Sequence, residues 1–97
     1  MNVFWSLRAR NDLTAIHAYI ARDSPLAADR MRERLLDQGE QLSAFPKSGR
    51  HLREIRWRAY RELIEPPYRI IYRITPDMVI IVGVVHSSRV LRPEMFR

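Results

Sequence analysis

Three arginines and a histidine near the end of the chain are of the types that bind anions or move protons. Arg69 and Arg73 alternate with apolar residues in segment 67–74, and His86 and Arg89 follow an apolar run. Arginine binds carboxylate or phosphate with two donors at once, and histidine titrates near neutral pH. These residues admit three interpretations: a catalytic site, a docking surface for an acidic partner, or the solvated side of a small sheet.

The alternation around the two arginines predicts strands that position them. In residues 68–74, Tyr68 and Tyr72 share one parity with two isoleucines, and the arginines take the other. A turn at residues 75–77 leads into an apolar strand over 78–86, so these strands form an antiparallel hairpin. Because the second strand is apolar on both parities, we expect it to be covered on both faces. We expect the tyrosines to pack in the core.

The first half of the chain predicts a strand and two helices. Residues 3–5 are β-branched and aromatic, which is typical of a strand. The first predicted helix ends near Asp23, and the second ends at Pro46. Ser24 and Pro25 cap the start of the second helix, and the two helices should form an antiparallel hairpin. Gly39 indicates close packing, and Asp12 needs no role beyond the helix dipole. The apolar stripes consist of Ala9, Leu13, Ile16 and Ile20, then Ala28, Met31, Leu35 and Leu42, with Phe45 near the end.

The composition predicts one small domain over residues 1–97, with 90–97 as a short tail that docks or stays mobile. There is no cysteine for a disulfide or thiolate site. No apolar run reaches the roughly 20 residues that span a membrane, and the start does not resemble a secretory signal, so we expect a cytoplasmic protein. His17 and His51 lack metal-ligand spacing with each other or with His86, so we expect neither metal nor cofactor.

The positive charge is concentrated in one segment. The chain carries 17 basic and 11 acidic residues, and segment 47–61 contains six basic residues and one acidic residue. We predict residues 46–58 to be a loop and 59–65 to be a strand. Folding does not require so many arginines, so the segment indicates an acidic partner or nucleic acid. The predicted basic surface consists of Lys47, Arg50, Arg53, Arg56, Arg58, Arg61, Arg69 and Arg73.

The predicted element order is β-α-α-β-β-β. The helical hairpin has an apolar stripe to bury, and the sheet has an apolar face to receive it. We therefore predict an α+β fold with two layers, in which the hairpin packs on a small, mainly antiparallel sheet.

The ordered set of motifs resembles the RelE/ParE superfamily of toxins from type II toxin–antitoxin systems. The resemblance covers nearly the whole chain. It rests on Trp5, on Phe45-Pro46 with Gly49-Arg50, on the segment "YRIIYRI" at 68–74, and on Val85-His86 with Arg89. It implies a cognate antitoxin whose acidic C-terminal segment wraps the toxin. It further implies that the antitoxin carries the complex to operator DNA.

The resemblance implies two alternative chemistries. RelE-like members cut messenger RNA on the ribosome, which requires cations for the phosphate and groups that move protons. ParE-like members poison DNA gyrase and need no proton chemistry. A RelE-like site here would use Arg69, Arg89 and His86. Tyr60 and Glu62 stand where such enzymes often have lysines, and the C-terminal tyrosine has no counterpart, since Met95 and Phe96 occupy the tail.

We therefore favour the ParE-like branch, for which no catalytic residues are expected. The "PxxGR" loop and the "VVHxxR" strand end are also more similar to ParE members. A ribosome-dependent endoribonuclease and an inactive member that only binds antitoxin remain the alternatives. The structural interpretation of each residue also stays open: Arg73 on the solvent side of a strand, and His86 satisfied by a backbone carbonyl.

Overall fold

The first half of the chain folds into the predicted strand and helical hairpin. In the computed structural model, which describes residues 1–54 and 59–96 apart from the side chain of Pro93, the elements are β1 (Asn2–Trp5), α1 (Leu7–Ala21) and α2 (Pro25–Glu40). Ser24 caps α2 as predicted, because its hydroxyl accepts the Ala27 N–H at 3.1 Å. Ser6 caps α1 in the same way. Each cap satisfies an N–H that would otherwise lack a partner at the helix start.

The second helix ends earlier than predicted. A 3-10 turn over Gln41–Ser43 follows α2, so the chain does not continue as an α-helix to Pro46. Leu42 is still fully buried, but Phe45 is 63 % exposed, and its prediction as part of the apolar stripe is wrong. The physical reason is the change of pitch, because a 3-10 turn has 3.0 residues per turn and rotates later side chains off the α-helical stripe.

The second half of the chain forms the strands. They are β2 (Arg50–His51), β3 (Tyr60–Glu65), β4 (Tyr68–Ile74) and β5 (Met78–His86), and a 3-10 turn (Pro93–Phe96) lies in the tail. The β2 pair lies inside the segment predicted to be a loop, so that prediction is wrong at this point. Arg50 pairs with Glu62 and His51 with Arg61, so two residues extend the sheet at its edge.

Within the described residues the sheet has five strands in the order β1-β5-β4-β3-β2. The pairing of β1 with β5 is parallel, and the other pairings are antiparallel. The sheet is therefore mainly antiparallel, as predicted. β5 lies between β1 and β4, and its side chains join apolar clusters on both faces of the sheet, which explains why its sequence is apolar on both parities.

Each face of the sheet carries its own apolar cluster. On the helix face, Ile70, Tyr72 and Ile81 of the sheet pack with residues of both helices, among them Leu13 and Leu35. On the opposite face, which we call the tail face, the cluster consists of Leu52, Tyr60, Ile71, Val82, Val85 and Leu91. Tyr68 and Tyr72 are buried as predicted, with 7 % and 0 % exposure.

A glycine permits the close approach of the second helix to the first strand. A Cβ on Gly39 would stand 2.2 Å from Trp5 Cζ2 and 2.9 Å from Ile81 Cδ1. No side chain fits at those distances, so the predicted close packing at Gly39 is confirmed.

The C-terminal tail docks on the tail face. Leu91 is 3 % exposed, and Met95 and Phe96 pack against the apolar cluster. Arg8 of α1 donates to the Met95 carbonyl at 3.1 Å, and its guanidinium lies 5.2 Å from the centre of the Phe96 ring. The result is a two-layer α+β fold with a tail on the second face of the sheet. Among the described residues, neither helix combines the length and apolarity needed to cross a membrane.

Candidate functional site: two basic regions on opposite faces of the sheet

Arg69 lies at the centre of a buried charge network on the tail face. Its Nε donates to Glu62 Oε1 at 2.8 Å, and its Nη1 and Nη2 donate to the two oxygens of Glu54 at 2.7 and 3.0 Å. Arg69 is 6 % exposed and Glu62 is 2 % exposed. The carboxylate of Glu54, followed by that of Glu62, raises the pKa of Arg69 above its ordinary value. The guanidinium is therefore charged, and two carboxylates neutralise it.

The predicted basic surface is consequently smaller than the sequence suggested. Arg69 was expected on an open surface, and that expectation is wrong, because its position beside Glu62 on the buried face allows full pairing. Arg61 donates to the carbonyls of Gly49 and Lys47, so its side chain stabilises the loop that precedes β2.

The remaining predicted cations are more open. Arg50 is 63 % exposed and lies 3.5 Å from Glu62, and Arg53 is exposed. Lys47 is exposed, and the half-buried Arg73 makes no ion pair with a described residue. Arg56 and Arg58 lie outside the described residues.

Tyr72 fixes the loop that carries Lys47. Its hydroxyl donates to the Pro46 carbonyl at 2.8 Å and accepts the Gly49 N–H at 2.9 Å. Burial raises the pKa of Tyr72, which keeps the phenol protonated as a donor. A Cβ on Gly49 would stand 2.5 Å from this hydroxyl. The loop is therefore held against the sheet by a polar contact inside the helix-face core.

The second basic region consists of Arg8 and Arg89, which line a groove on the helix face. The groove has a volume of about 440 Å³ and lies between α1 and the ends of β4 and β5. Ile16 and Val84 contribute apolar walls, and Tyr19 is 67 % exposed at its edge. The ionisable groups that line the groove are Arg8, Asp12, Tyr19, Tyr68, His86 and Arg89.

A β-bulge decides which residues face this groove. Ile71 pairs with Gly83 whereas Tyr72 pairs with Ile81, so β5 has one extra residue, Val82. The extra residue changes the phase of the strand, so that Val84 faces the helices and Val85 faces the tail. His86 accordingly faces the helix side.

Asp12 stabilises the bulge. Its carboxylate accepts the Val84 N–H at 2.9 Å, and Arg8 lies 3.6 Å away. Burial raises the pKa of Asp12, while the Val84 N–H and the charges of Arg8 and Arg89 oppose that shift. The prediction that Asp12 needs no role beyond the helix dipole is wrong, because it binds a backbone donor on the irregular strand.

His86 has a different partner from the one considered. Its Nδ1 accepts the Ser88 N–H at 3.1 Å and lies 2.8 Å from the Ser88 hydroxyl, and among the described residues no backbone carbonyl binds its ring. An acceptor at Nδ1 leaves Nε2 as the protonated nitrogen of a neutral ring. The ring packs edge-on against Tyr68 with centroids 5.9 Å apart.

The structure brings together only part of the RelE-like set. His86 and Arg89 line the helix-face groove. The side chain of Arg69 lies on the tail face, where it touches Arg89 only through the carbonyl of that residue, at 3.4 Å. Proton transfer and phosphate stabilisation act on one reacting group, so they require convergent side chains. The three predicted residues do not converge in this arrangement.

Glu54 is the residue that sequence reasoning missed on the tail face. One signal was available, because Glu54 is the sole acidic residue in the basic segment 47–61. An acid embedded in such a segment is a candidate for an internal ion pair. Across residues 1–54 and 59–96, no group of three His, Cys, Asp or Glu side chains is placed to hold a metal ion.

Comparison with known proteins finds a matching toxin family and relatives that are named as toxins. The family model for the ParE toxin of the type II toxin–antitoxin system parDE matches residues 3–91. The chain is 42 % identical over 88 residues to Toxin RelE2 of Caulobacter vibrioides, covering 90 % of this chain and 96 % of that protein. It is 40 % identical over 87 residues to Putative toxin Y4kP of Sinorhizobium fredii, covering 88 % and 86 %.

Two solved structures share the fold. The chromosomal ParDE toxin–antitoxin system of P. aeruginosa superposes with a TM-score of 0.74 at 22 % identity, covering 89 % of this chain and 95 % of that one. The toxin–antitoxin complex RelBE2 of Mycobacterium tuberculosis gives a TM-score of 0.62 at 25 % identity, covering 88 % and 95 %. On the family match and the curated relatives, this chain belongs to the RelE/ParE superfamily of type II toxins and matches its ParE toxin family.

Proposed function

We propose that this toxin arrests growth by binding a protein target, DNA gyrase, and that it does not cleave RNA. The observation that carries the proposal is the pairing of Arg69 with two carboxylates. Glu54 and Glu62 occupy both sides of its guanidinium, at 2.7 to 3.0 Å for the shortest contacts. An arginine paired in this way has no free donor edge for a phosphate in the transition state.

The separation of the candidate residues supports the same proposal. His86 faces a groove on the helix face, whereas Arg69 is buried on the tail face. Glu62 stands at a position where RelE-like enzymes often carry a lysine, and it adds negative charge beside Arg69. A surface that binds a protein requires none of this convergence, and exposed Arg50 and Arg53 can serve such a surface directly.

A ribosome-dependent endoribonuclease is the second candidate. Two curated relatives carry the names Toxin RelE2 and Toxin RelE3, and His86 and Arg89 do share one groove. In that case His86 would move the proton, and Arg89 would stabilise the phosphate. The third candidate is a member that only binds its antitoxin.

We further propose a cognate antitoxin as the physiological partner in the cytoplasm. Both solved relatives are toxin–antitoxin systems or complexes, and the net charge of +6 favours an acidic segment. The antitoxin would carry the complex to operator DNA. The gene beside this one should therefore encode a small antitoxin.

A gyrase assay tests the proposed target. Increasing amounts of purified toxin are added to gyrase and relaxed plasmid, and we expect loss of supercoiling or trapped cleaved DNA. Toxin first mixed with the product of the neighbouring gene is the control, and it should leave gyrase active. Full supercoiling at a large excess of folded toxin would contradict the proposal.

A translation assay separates the alternatives. In a translating extract we expect intact messenger RNA in the presence of the toxin. Cleaved transcripts that disappear with His86→Ala or Arg89→Ala would instead establish the endoribonuclease. Normal growth of cells that express the toxin alone would establish the inactive member.

A further inference from the structure

The seam between α1 and α2 contains a cleft that is separate from the helix-face groove. The cleft has a volume of about 350 Å³. Its floor consists of Leu13, which is 9 % exposed, and the half-buried Leu36, and its rim carries the exposed Arg10 of α1 and Arg32 of α2. The other two lining residues are Thr14 and His17. This hairpin cleft therefore combines an apolar floor with one cation on each helix.

The two arginines of the hairpin cleft are free of counter-ions. Neither the guanidinium of Arg10 nor that of Arg32 has an ion pair or a hydrogen bond with a described residue. No acidic residue is among those that line the cleft within the described part of the chain. His17 differs, because its Nε2 donates to Asp29 at 2.7 Å and so links the two helices at one end of the cleft. The rim thus offers two unpaired guanidinium groups.

The exposed cations of the tail face lie in a different environment. Arg50 and Arg53 share a cavity with Glu54 and Glu62, and Arg50 lies 3.5 Å from the Glu62 carboxylate. A carboxylate that approaches these arginines also meets negative charge. An acidic segment of a partner is therefore accommodated better by the hairpin cleft, where no such charge lines the surface.

The shape and charge of the hairpin cleft select one kind of occupant. A seam between two packed helices accepts the apolar side chains of a third helix, and the rim arginines bind carboxylates that flank those side chains. A second copy of this chain would bring its own two arginines to the same rim, which like charges oppose. Nucleic acid requires several phosphate contacts, whereas exposed Glu33 follows Arg32 directly and would repel a polyanion.

We propose that the hairpin cleft is the docking site for an acidic amphipathic helix of the target protein. Apolar side chains of that helix would pack on Leu13 and Leu36, and its carboxylates would pair with Arg10 and Arg32. This inference rests on the proposed function, in which the toxin acts by binding a protein. The helix-face groove lies on the other side of α1, against the sheet, so the two surfaces are testable separately.

A peptide titration tests the cleft without the target. The probe is a synthetic helix of leucine and glutamate with leucines at i, i+3, i+4 and i+7, and a control peptide carries lysine in place of glutamate. Binding to the full chain is followed through the methyl resonances of Leu13 and Leu36. We expect the glutamate peptide to shift these resonances in wild type and the lysine peptide to leave them unmoved.

A pair of charge-reversed variants measures the role of the rim. The cleft variant combines Arg10→Glu with Arg32→Glu. The control variant combines Arg22→Glu with Arg30→Glu, which changes the net charge equally at exposed positions. Arg30 points about 160° away from Arg32 around the axis of α2. We expect the glutamate peptide to bind the cleft variant about tenfold more weakly than the control variant.

Three results of the titration would overturn the proposal. The first is equal affinity of the two variants for the glutamate peptide, which would reduce the effect to net charge. The second is equal binding of both peptides to wild type. The third is a shift of the Ile16 and Val84 methyl resonances in place of those of Leu13 and Leu36, which would move the site to the helix-face groove. The second and third results use wild type only, so they hold even if a variant does not fold.

The gyrase assay then connects the cleft with the target. We expect the cleft variant to require about tenfold more protein than the control variant for the same inhibition of supercoiling, while both bind the product of the neighbouring gene equally. Equal inhibition by both variants would overturn the proposal and leave gyrase as the target. A cleft variant that loses the neighbouring gene product would assign the cleft to the antitoxin and also overturn it. Inactive wild type would contradict gyrase as the target, and the peptide titration would then decide on the cleft alone.

Discussion

The helix face and the tail face of the sheet satisfy their buried polar groups in different ways. On the helix face, Tyr72 and Asp12 each bind backbone groups of an irregular segment. On the tail face, Arg69, Glu54 and Glu62 form a network of charges. Removing one partner of a buried hydrogen bond leaves a neutral backbone group unpaired, which costs less than leaving a buried charge without its partner. The two faces should therefore respond to substitution with different magnitudes.

The largest effect is expected on the tail face, for Arg69→Ala. This substitution leaves the buried carboxylate of Glu62 without its main partner, and we expect the free energy of unfolding to fall by about 3–5 kcal/mol. Arg73→Ala on the same strand is the control and should change it by no more than about 0.5 kcal/mol. Urea denaturation measures both. Equal losses for the two variants would mean that the Arg69 network contributes no more than an arginine that has no ion pair with a described residue.

A smaller effect is expected on the helix face, for Tyr72→Phe. The variant keeps the ring but leaves the Gly49 N–H and the Pro46 carbonyl without their partner, at a cost of about 1–3 kcal/mol. Tyr68→Phe is the matched control, because the hydroxyl of Tyr68 makes no hydrogen bond to a described residue. Urea denaturation should show a loss for Tyr72→Phe alone. A similar loss for both variants would assign the effect to ring packing.

The smallest effects are expected in the pH dependence of stability. Glu54 has a pKa lowered by Arg69, so its contribution is present above its ordinary pKa of 4.5 and is lost as the pH falls through the folded value. Asp12 has a pKa raised by burial above 3.8, so its contribution has the opposite sign and is lost as the pH rises through the folded value. The partial exposure of Glu54 limits its share to about 1 kcal/mol.

Unfolding measured from pH 7 to pH 3 distinguishes the two carboxyls. The stability advantage of wild type over Glu54→Gln should shrink on acidification. The difference between wild type and Asp12→Asn should move in favour of wild type over the same range. Parallel curves for wild type and either variant would show that the carboxyl concerned does not change its pKa on folding.

Much of the fold was predictable because it depends on local pattern. The alternation over 68–74 assigned Tyr68 and Tyr72 to the core, and Ser24 with Pro25 marked the start of α2. The missed features depend on irregular geometry. Phe45 lies off the apolar stripe because a 3-10 turn follows the α-helix. The strand β2 has two residues, which are too few to show an alternation of polar and apolar side chains.

The candidate sites were less predictable, because each requires contacts between distant segments. Arg69 and Glu54 are brought together by the strand β3 that lies between them in sequence. Parity counted through β5 places His86 on the face of Val82, and the bulge moves it to the other face. A single extra residue thus determines whether His86 and Arg69 can act on one group.

The sequence by itself determined the superfamily, the α+β order of elements, the tyrosine core and the concentration of positive charge. These properties follow from the types of residue and their spacing along the chain. Only the tertiary structure decided which of those charges are free. Charge is a property of a residue, but its availability depends on the partners that folding brings within 3 Å, and for Arg69 those partners are Glu54 and Glu62.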